Sequence, residues 1–378
     1  MRIGFMLRHY DQHRGGVRVY THQIIKSMLA LNSGHEFFFF YRDPSLVGTY
    51  REHPEVHEIA LPGESVFWWD QVSMPHALTD YGIDVLFNPK YSLPLRAHCP
   101  GAWVCHGLDW YVMPWASPLK DRLSHGLLVP HYARKASAIF AVSEVTRQHV
   151  MEYLHVPEER VHTVYSGLDP VYLERCPEEK LAAVRARYRL PPRFLLYSGA
   201  IYPPKNFTRL IHAYARVGPA LGIPLVIAGG ENRFLSEHEV RLPDKLGLQA
   251  WVLRPGWIDL QSLPAIYQMA DALLLPSLFE SFGLPIIEAM ASECPVVTSN
   301  CFGTREIAQD AAVLVEPQDI DSIAEGIVTV LDNQELRTKL IERGKVRARQ
   351  FDWHRCAQQT LRVLESVGAM QRSATAYA

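Results

Sequence analysis

Residues 271–291 read DALLLPSLFESFGLPIIEAMA. The run Asp271-Ala-Leu-Leu-Leu-Pro276 is short and apolar and ends on a proline, which predicts a buried strand leading into a loop. Ile287, Ala289, Met290 and Ala291 then continue as a helix, with Pro285 suited to its first turn. Strand, loop and helix in this order form the unit of a parallel α/β sheet. Two glutamates, Glu280 and Glu288, bracket the segment Phe282-Gly283-Leu284-Pro285. A helix start exposes unpaired N–H groups and a partial positive charge, so it seats anions. Acids placed there can simply complement the dipole. They can also flank a ligand carrying both phosphates and hydroxyls, the amides taking the phosphates and each carboxylate a pair of hydroxyls.

The same strand–loop–helix grammar runs outward in both directions. Arg2–Leu7 reads as a first strand; it enters a loop ending in Gly15-Gly16, and Val17, Tyr20, Ile24, Ile25 and Met28 follow at helical spacing. Further strands are expected at 36–41, 83–87, 102–105 and 138–142. A second start appears at 193–199, followed by the loop Ala200–Asn206 and a helix bearing Leu210, Ile211 and Tyr214. Strands are then expected at 224–228, 250–253, 272–275 and 295–298. This predicts two doubly wound domains, 1–170 and 193–355, joined by a proline-marked linker over 171–192. The last helical stretch, 356–378, is expected to return to the first domain. Facing sheets of this kind would bind a ligand between the ends of their strands.

Composition narrows the function. With 378 residues and a net charge of −2, the chain has no electrostatic footprint for a nucleic-acid partner. No apolar run approaches the length of a membrane span, and the first residues lack the pattern of a secretory signal, so a cytoplasmic protein is expected. Six cysteines without CxxC spacing are read as reduced thiols. His9/His13 and His53/His57 are spaced by four, but glycines follow the first pair and Pro54 interrupts the second, so neither predicts a metal-binding helix face. Asp319 and Asp321 are read as helix-capping residues, and no metal is expected.

Three loops carry the remaining candidates. Gly15 and Gly16 would let the backbone approach a phosphate closely, or would merely make a tight turn. Lys205 could set a point charge on a diphosphate, or be a solvated surface lysine. His106, in CHGLDW directly after a strand, could bond a sugar hydroxyl or serve structurally. The dinucleotide pattern G-x-G-x-x-G is absent from the first turn, which counts against a nicotinamide enzyme.

Taken together, the stretch 270–317, ADALLLPSLFESFGLPIIEAMASECPVVTSNCFGTREIAQDAAVLVEP, resembles the donor-site block of the retaining family-4 glycosyltransferases, with their Glu-x7-Glu signature. Looser likenesses lie in HRGGVRVYTHQI, WVCHGLD, IFAVSEVTRQHV, YSGAIYPPKN and LRPGWIDLQSLPAIYQMADALLLPS. The resemblance implies an α/β fold of the GT-B type, two Rossmann-like domains facing a cleft. It implies that Glu280 holds the donor sugar's hydroxyls and Glu288 the ribose hydroxyls. The amides of Phe282, Gly283 and Leu284 would contact the diphosphate and Lys205 would neutralise it. Gly15 and Gly16 would meet the phosphates from the other domain, His106 the sugar near its 6-hydroxyl, and Ile258 the base. The chain departs from the family where many members carry arginine, at Ala200 and Pro204; Arg209, one turn along, is the candidate replacement.

The resemblance further implies a hexosyltransferase using a sugar nucleotide, GDP-mannose or else a UDP-hexose, with a glycan or lipid-linked acceptor and no cofactor or metal. A phosphorylase or epimerase of similar architecture, and a sugar-nucleotide-binding protein without catalysis, stand as alternatives. The segment 120–135 mixes basic and apolar residues. It is compatible with peripheral contact at the inner face of a membrane or with packing inside the first domain, and Pro130 is expected to interrupt it.

Overall fold

The computed structural model describes residues 1–8, 10, 15–229 and 237–376; the His9/His13 pair lies outside them. The chain divides into two compact units, one of residues 1–167 with 352–378 and one of residues 168–351.

The first unit is built on a seven-stranded sheet. Its strands are β1 (Arg2–Met6), β2 (Glu36–Tyr41), β3 (Val56–Ala60), β4 (Val85–Asn88), β5 (Gly101–Cys105), β6 (Ala138–Ala141) and β7 (Val161–Thr163). They lie in the order β3-β2-β1-β4-β5-β6-β7, every pair parallel. A parallel sheet is covered on both faces, so its inner strands are apolar at consecutive positions. The run Phe37-Phe38-Phe39-Phe40 in β2 meets that demand. On one face Phe5 meets Phe37, Phe39 and Phe87 edge to face at 5.9, 5.1 and 5.2 Å. On the other, Phe38 and Phe40 join a buried cluster with Trp69 and Trp103.

The second unit repeats the plan with β8 (Leu195–Ser198), β9 (Leu225–Ala228), β10 (Val252–Leu253), β11 (Ala272–Leu275), β12 (Val296–Ser299) and β13 (Val313–Val315). These pair in parallel in the order β10-β9-β8-β11-β12-β13. In both sheets the first strand sits in the middle and the winding reverses beside it, between β1 and β4 and between β8 and β11. Loops at the carboxyl ends of those pairs diverge and leave a crevice, the usual ligand position in such sheets.

Several expectations need correction. Residues 171–192 are not a free linker. They hold a 3₁₀ turn, Pro170–Leu173, and a helix, Glu178–Tyr188, tied into the second unit. The Gln268 side chain accepts from Cys176 N–H at 2.9 Å and donates to Glu174 C=O at 2.7 Å, and Tyr188 donates to Asp259 at 2.8 Å. The second unit consequently begins at Leu168 and ends at Phe351. β3, β7 and β13 went unread because the first two are a polar-spotted edge and a three-residue strand, and the third is as short. Pro130 does not stop its helix, which runs from Leu119 to Lys135. An internal proline removes one helix hydrogen bond and crowds the carbonyl of residue i−4, which can kink a helix without ending it. The final helix, Trp353–Ala376, belongs to the first unit, where the Trp353 ring lies 5.4 Å from Tyr20 and His35 meets Glu365 at 2.8 Å. Asp319 caps the helix Ile320–Asp332, accepting from Asp321 N–H at 2.8 Å. His57 lies on strand β3.

Candidate active site

The second unit's switch point gathers the charged candidates. Lys205 ends the 3₁₀ turn Pro203–Lys205 in the loop after β8, and Glu280 lies in the loop after β11. Because β8 and β11 are neighbours, the two loops emerge side by side. Lys205 Nζ is ion-paired with Glu280 Oε1, both side chains about nine-tenths buried, at 10% and 11% exposure. Lys205 is therefore not the solvated surface lysine that the sequence left open. Ser277 Oγ donates to the same Oε1 at 3.0 Å. Both contacts fall on one oxygen, which leaves Oε2 to accept hydroxyls from a ligand.

Backbone geometry holds this pair in place. The loops are sewn together by Leu278 N–H donating to Pro204 C=O at 2.8 Å. Asn206, buried and left-handed at φ 58°, donates through Nδ2 to the carbonyls of Pro276 (2.8 Å) and Pro317 (2.6 Å). Its Oδ1 accepts from Arg209 at 3.2 Å, which sets that guanidinium one residue away from the Lys205 loop. Gly303 N–H donates to Glu280 C=O at 2.9 Å, and a Cβ on Gly303 would stand 2.5 Å from Ser281 O and 2.6 Å from Glu280 O. Only glycine permits that approach. It was within the quoted sequence block, but nothing in its neighbours marked it.

Gly283, at φ +92°, turns the chain into the helix Leu284–Ala291. Pro285 offers no N–H, and the helix's first backbone bond runs from Ile286 N–H to Gly283 C=O at 2.9 Å. The amides of Gly283 and Leu284 are those that a helix start leaves without an intrahelical acceptor. Phe282 is buried, with its ring 5.4 Å from Phe351.

One turn into this helix, Glu288 is held by tyrosines that sequence reasoning missed. Tyr267 OH lies 2.9 Å from Glu288 Oε2 and 2.9 Å from Ser198 Oγ, and Tyr172 also hydrogen-bonds the carboxylate. Burial pushes the Glu288 carboxyl up to about 7, against the opposing pull of the two tyrosine hydroxyls and of Lys205. Tyr172 escaped notice because its segment read as a linker. Tyr267 sits in an apolar helix where a tyrosine reads as core, which it also is.

Ile258 is buried on the loop after β10, two strands across the sheet from β8. In the first unit, Gly15 (φ +110°) and Gly16 open the helix Gly16–Ala30 and are exposed. His106 follows β5 and its Nε2 lies 2.7 Å from Pro89 C=O, beside the end of β4. A carbonyl can only accept, so Nε2 carries the proton and Nδ1 is left as an acceptor. Burial pushes this imidazole down to about 4, so it is neutral near pH 7. Its ring packs edge-on against Tyr20 at 4.8 Å. Among the described residues no cluster of His, Cys, Asp and Glu could hold a metal ion.

Comparison with known proteins bears on the family and the fold. The family model "Glycosyltransferase Family 4" matches residues 14–172, and "Glycosyl transferases group 1" matches residues 184–347. The O-antigen chain mannosyltransferase B of Escherichia coli is 29% identical over 339 residues, a match covering 88% of this chain and 83% of that one. The serotype-specific mannosyltransferase WbdA of Escherichia coli is 29% identical over 224 residues, 58% of this chain but 27% of its own length. Among solved structures, Anabaena HepE in complex with UDP-glucose aligns with a TM-score of 0.77 at 19% identity, over 97% of this chain and 100% of that one. Matched in its two halves by these two models, and folded as two Rossmann-like sheets of the GT-B type, the chain belongs to the family-4 glycosyltransferases and is a hexosyltransferase.

Proposed function

We propose that the protein transfers mannose from GDP-mannose, with retention of configuration and without a metal, to a hydroxyl of a glycan or lipid-linked acceptor. The observation that carries this reading is the Lys205–Glu280 pair at the β8/β11 switch point, with Glu288 one turn along the adjoining helix. In this reading Glu280 Oε2 accepts hydroxyls of the donor sugar and Glu288 accepts those of the ribose. The amides of Gly283 and Leu284 take the diphosphate. Lys205 has three protons, so it can serve a phosphate oxygen while keeping Glu280.

In the transfer, the bond from the anomeric carbon to the phosphate oxygen breaks and one from that carbon to the acceptor oxygen forms. The acceptor proton passes to the departing phosphate. Negative charge grows on that phosphate, and fixed donors aimed at such a charge lower the barrier without reorganising. Lys205 supplies the cation that a metal would otherwise provide. To His106 we assign a hydrogen bond to a sugar hydroxyl through Nδ1, and to Arg209 the place of the cation missing at Ala200. Mannose is favoured because the relative matched over most of the chain is named a mannosyltransferase. A UDP-hexose is the second reading, supported by the fold's likeness to a protein solved with UDP-glucose.

The test is nucleotide release from GDP-mannose and from UDP-glucose with EDTA present, followed by NMR of the product's anomeric configuration. Release of GDP undiminished by EDTA, with a retained product, is expected. Loss of activity on chelation or an inverted product refutes the mechanism, and UDP release moves the donor to the second reading. Binding of nucleotide with no turnover under any condition would make the protein a sugar-nucleotide binder.

A further inference from the structure

We propose that the first unit's switch point binds one neutral pyranose ring of the acceptor glycan, with Asp70 accepting its hydroxyls and the exposed rings of Phe67 and Trp68 covering its C–H face. The inference rests on the glycan-acceptor reading above and deepens it. Where the second unit sets Lys205 against Glu280 beside β8, the first sets Arg8 against Asp70 beside β1. Arg8 follows β1 closely, and its guanidinium is ion-paired with Asp70 Oδ2, the two side chains 12% and 4% exposed. The hydroxyl of Ser92, in the loop after β4, also pulls on this carboxyl, and Asn88 at the end of β4 donates to Ser92 Oγ at 2.9 Å. The pair therefore stands where the loops of β1 and β4 diverge. The transfer chemistry assigned to the second unit makes no use of it.

Local structure turns the carboxylate inward and leaves half of it unsatisfied. The chain arrives through a helical turn, Val66–Trp68, whose start Ser65 caps by accepting from Trp68 N–H at 3.1 Å, and passes directly into a π-turn, Trp69–Ser73. Such π-turns are rare and recur at functional sites. Trp69, fully buried, pins this one from one side. Gln71 pins it from the other, donating to Leu93 C=O at 3.0 Å and accepting from Leu95 N–H at 2.9 Å. Between them Asp70 is 3% exposed, and its Oδ1 is buried with no hydrogen-bond partner. An orphaned buried acceptor destabilises the fold unless a donor arrives to fill it. Phe67 stands three residues before Asp70, on the same side of the turn, and with Trp68 faces solvent at 62% and 54% exposure. Packing alone does not account for two large rings left outside next to a fully buried Trp69. A pyranose ring presents apolar C–H faces and an edge of hydroxyls; aromatic rings cover the first, and an ionised carboxylate takes the second. Other occupants fit less well. A phosphate would meet the like charge of Asp70, and an acyl chain would leave Oδ1 without a donor.

The test is saturation-transfer NMR of the full chain with the methyl α-pyranosides of mannose, glucose, galactose and N-acetylglucosamine. At least one should bind, and should serve as an acceptor in transfer. Asp70→Asn removes the charge and turns one acceptor atom into a donor, so it should weaken that glycoside's binding, and raise its KM, at least about tenfold. Phe67→Ala/Trp68→Ala should weaken binding by a similar factor. Affinity for GDP and for UDP, read by isothermal titration, should stay within about twofold, because the nucleotide is assigned to the second unit. Both rings are exposed, so the aromatic variant stays folded even where Asp70→Asn does not. Unchanged glycoside binding in the aromatic variant overturns the proposal by itself. So does a failure of every glycoside to bind, or a nucleotide affinity that falls together with glycoside binding. If neither nucleotide binds while a glycoside still does, the donor reading fails and this inference stands.

Discussion

Glu288 should make donor binding depend on pH in a direction that its neighbours set. Its carboxyl is pushed up to about 7 by burial, while the hydroxyls of Tyr267 and Tyr172 and the charge of Lys205 pull it back and Asp169 opposes them. The carboxylate accepts from the hydroxyls of a ribose more strongly than the protonated acid, one of whose oxygens has become a donor. The ionised fraction rises from about a tenth at pH 6 to about nine-tenths at pH 8, so nucleotide affinity should rise by up to about tenfold over that span. Tyr267→Phe removes one donor to the carboxylate, an interaction of about 1.5–3 kcal/mol, and should move the midpoint up by about one to two pH units. At pH 7 the variant should bind GDP about 5- to 50-fold more weakly, and should recover near pH 9. Isothermal titration across that range reads this directly. A variant that stays equally weak at pH 9 while folded has lost packing rather than carboxylate charge, and the reasoning fails. A wild-type affinity flat from pH 6 to 8 refutes it as well. Stability should run the opposite way, because the folded value lies above the unfolded one. The stabilising contribution is full below about pH 4.5 and is lost as the pH rises through about 7, so Glu288→Gln should gain about 1–3 kcal/mol at pH 8 and almost nothing at pH 4.

Lys205→Ala and Glu280→Ala should each lower kcat by at least about 100-fold. Each also strands a buried charge; the double variant Lys205→Met/Glu280→Gln should regain melting temperature without regaining rate, and recovered rate would deny the pair its chemical role. Gly303→Ala should destabilise the second unit by about 1–3 kcal/mol and lower donor affinity, because its Cβ collides with the carbonyls that hold the Glu280 loop; an unchanged melting curve would contradict this. His106 is depressed to about 4 in the folded chain, so its contribution to stability is full above about pH 6.5 and lost as the pH falls through about 4. His106→Gln should flatten the acid side of the melting temperature against pH, and a curve superposable on wild type would remove His106 as a cause.

Much of this molecule was legible before any coordinates. Runs such as Phe37–Phe40 and Leu273–Leu275 are apolar at every position, the local demand of a strand covered on both faces, so strand positions and parallel winding could be read from them. The helix start at Gly283 was legible too, because proline and glycine constrain the backbone wherever they stand. Short edge strands such as β7 carry too few residues for a period to show. The segment 171–192 looked like a linker since prolines and charges dominate it, and nothing local reveals that Gln268, nearly a hundred positions on, bonds back to it.

By itself the sequence determined the alternation of strands and helices, the family-4 resemblance and the identity of the charged candidates, because those depend on residues within a few turns of each other. Tertiary structure alone decided which candidates act together. Lys205 and Glu280 lie 75 residues apart and meet only because β8 and β11 are sheet neighbours. Whether Glu288 sits among tyrosines, and whether Asp70 is buried against Arg8, likewise turns on what packs around each. Burial and pairing are set by neighbours distant in the chain, and no local period encodes them.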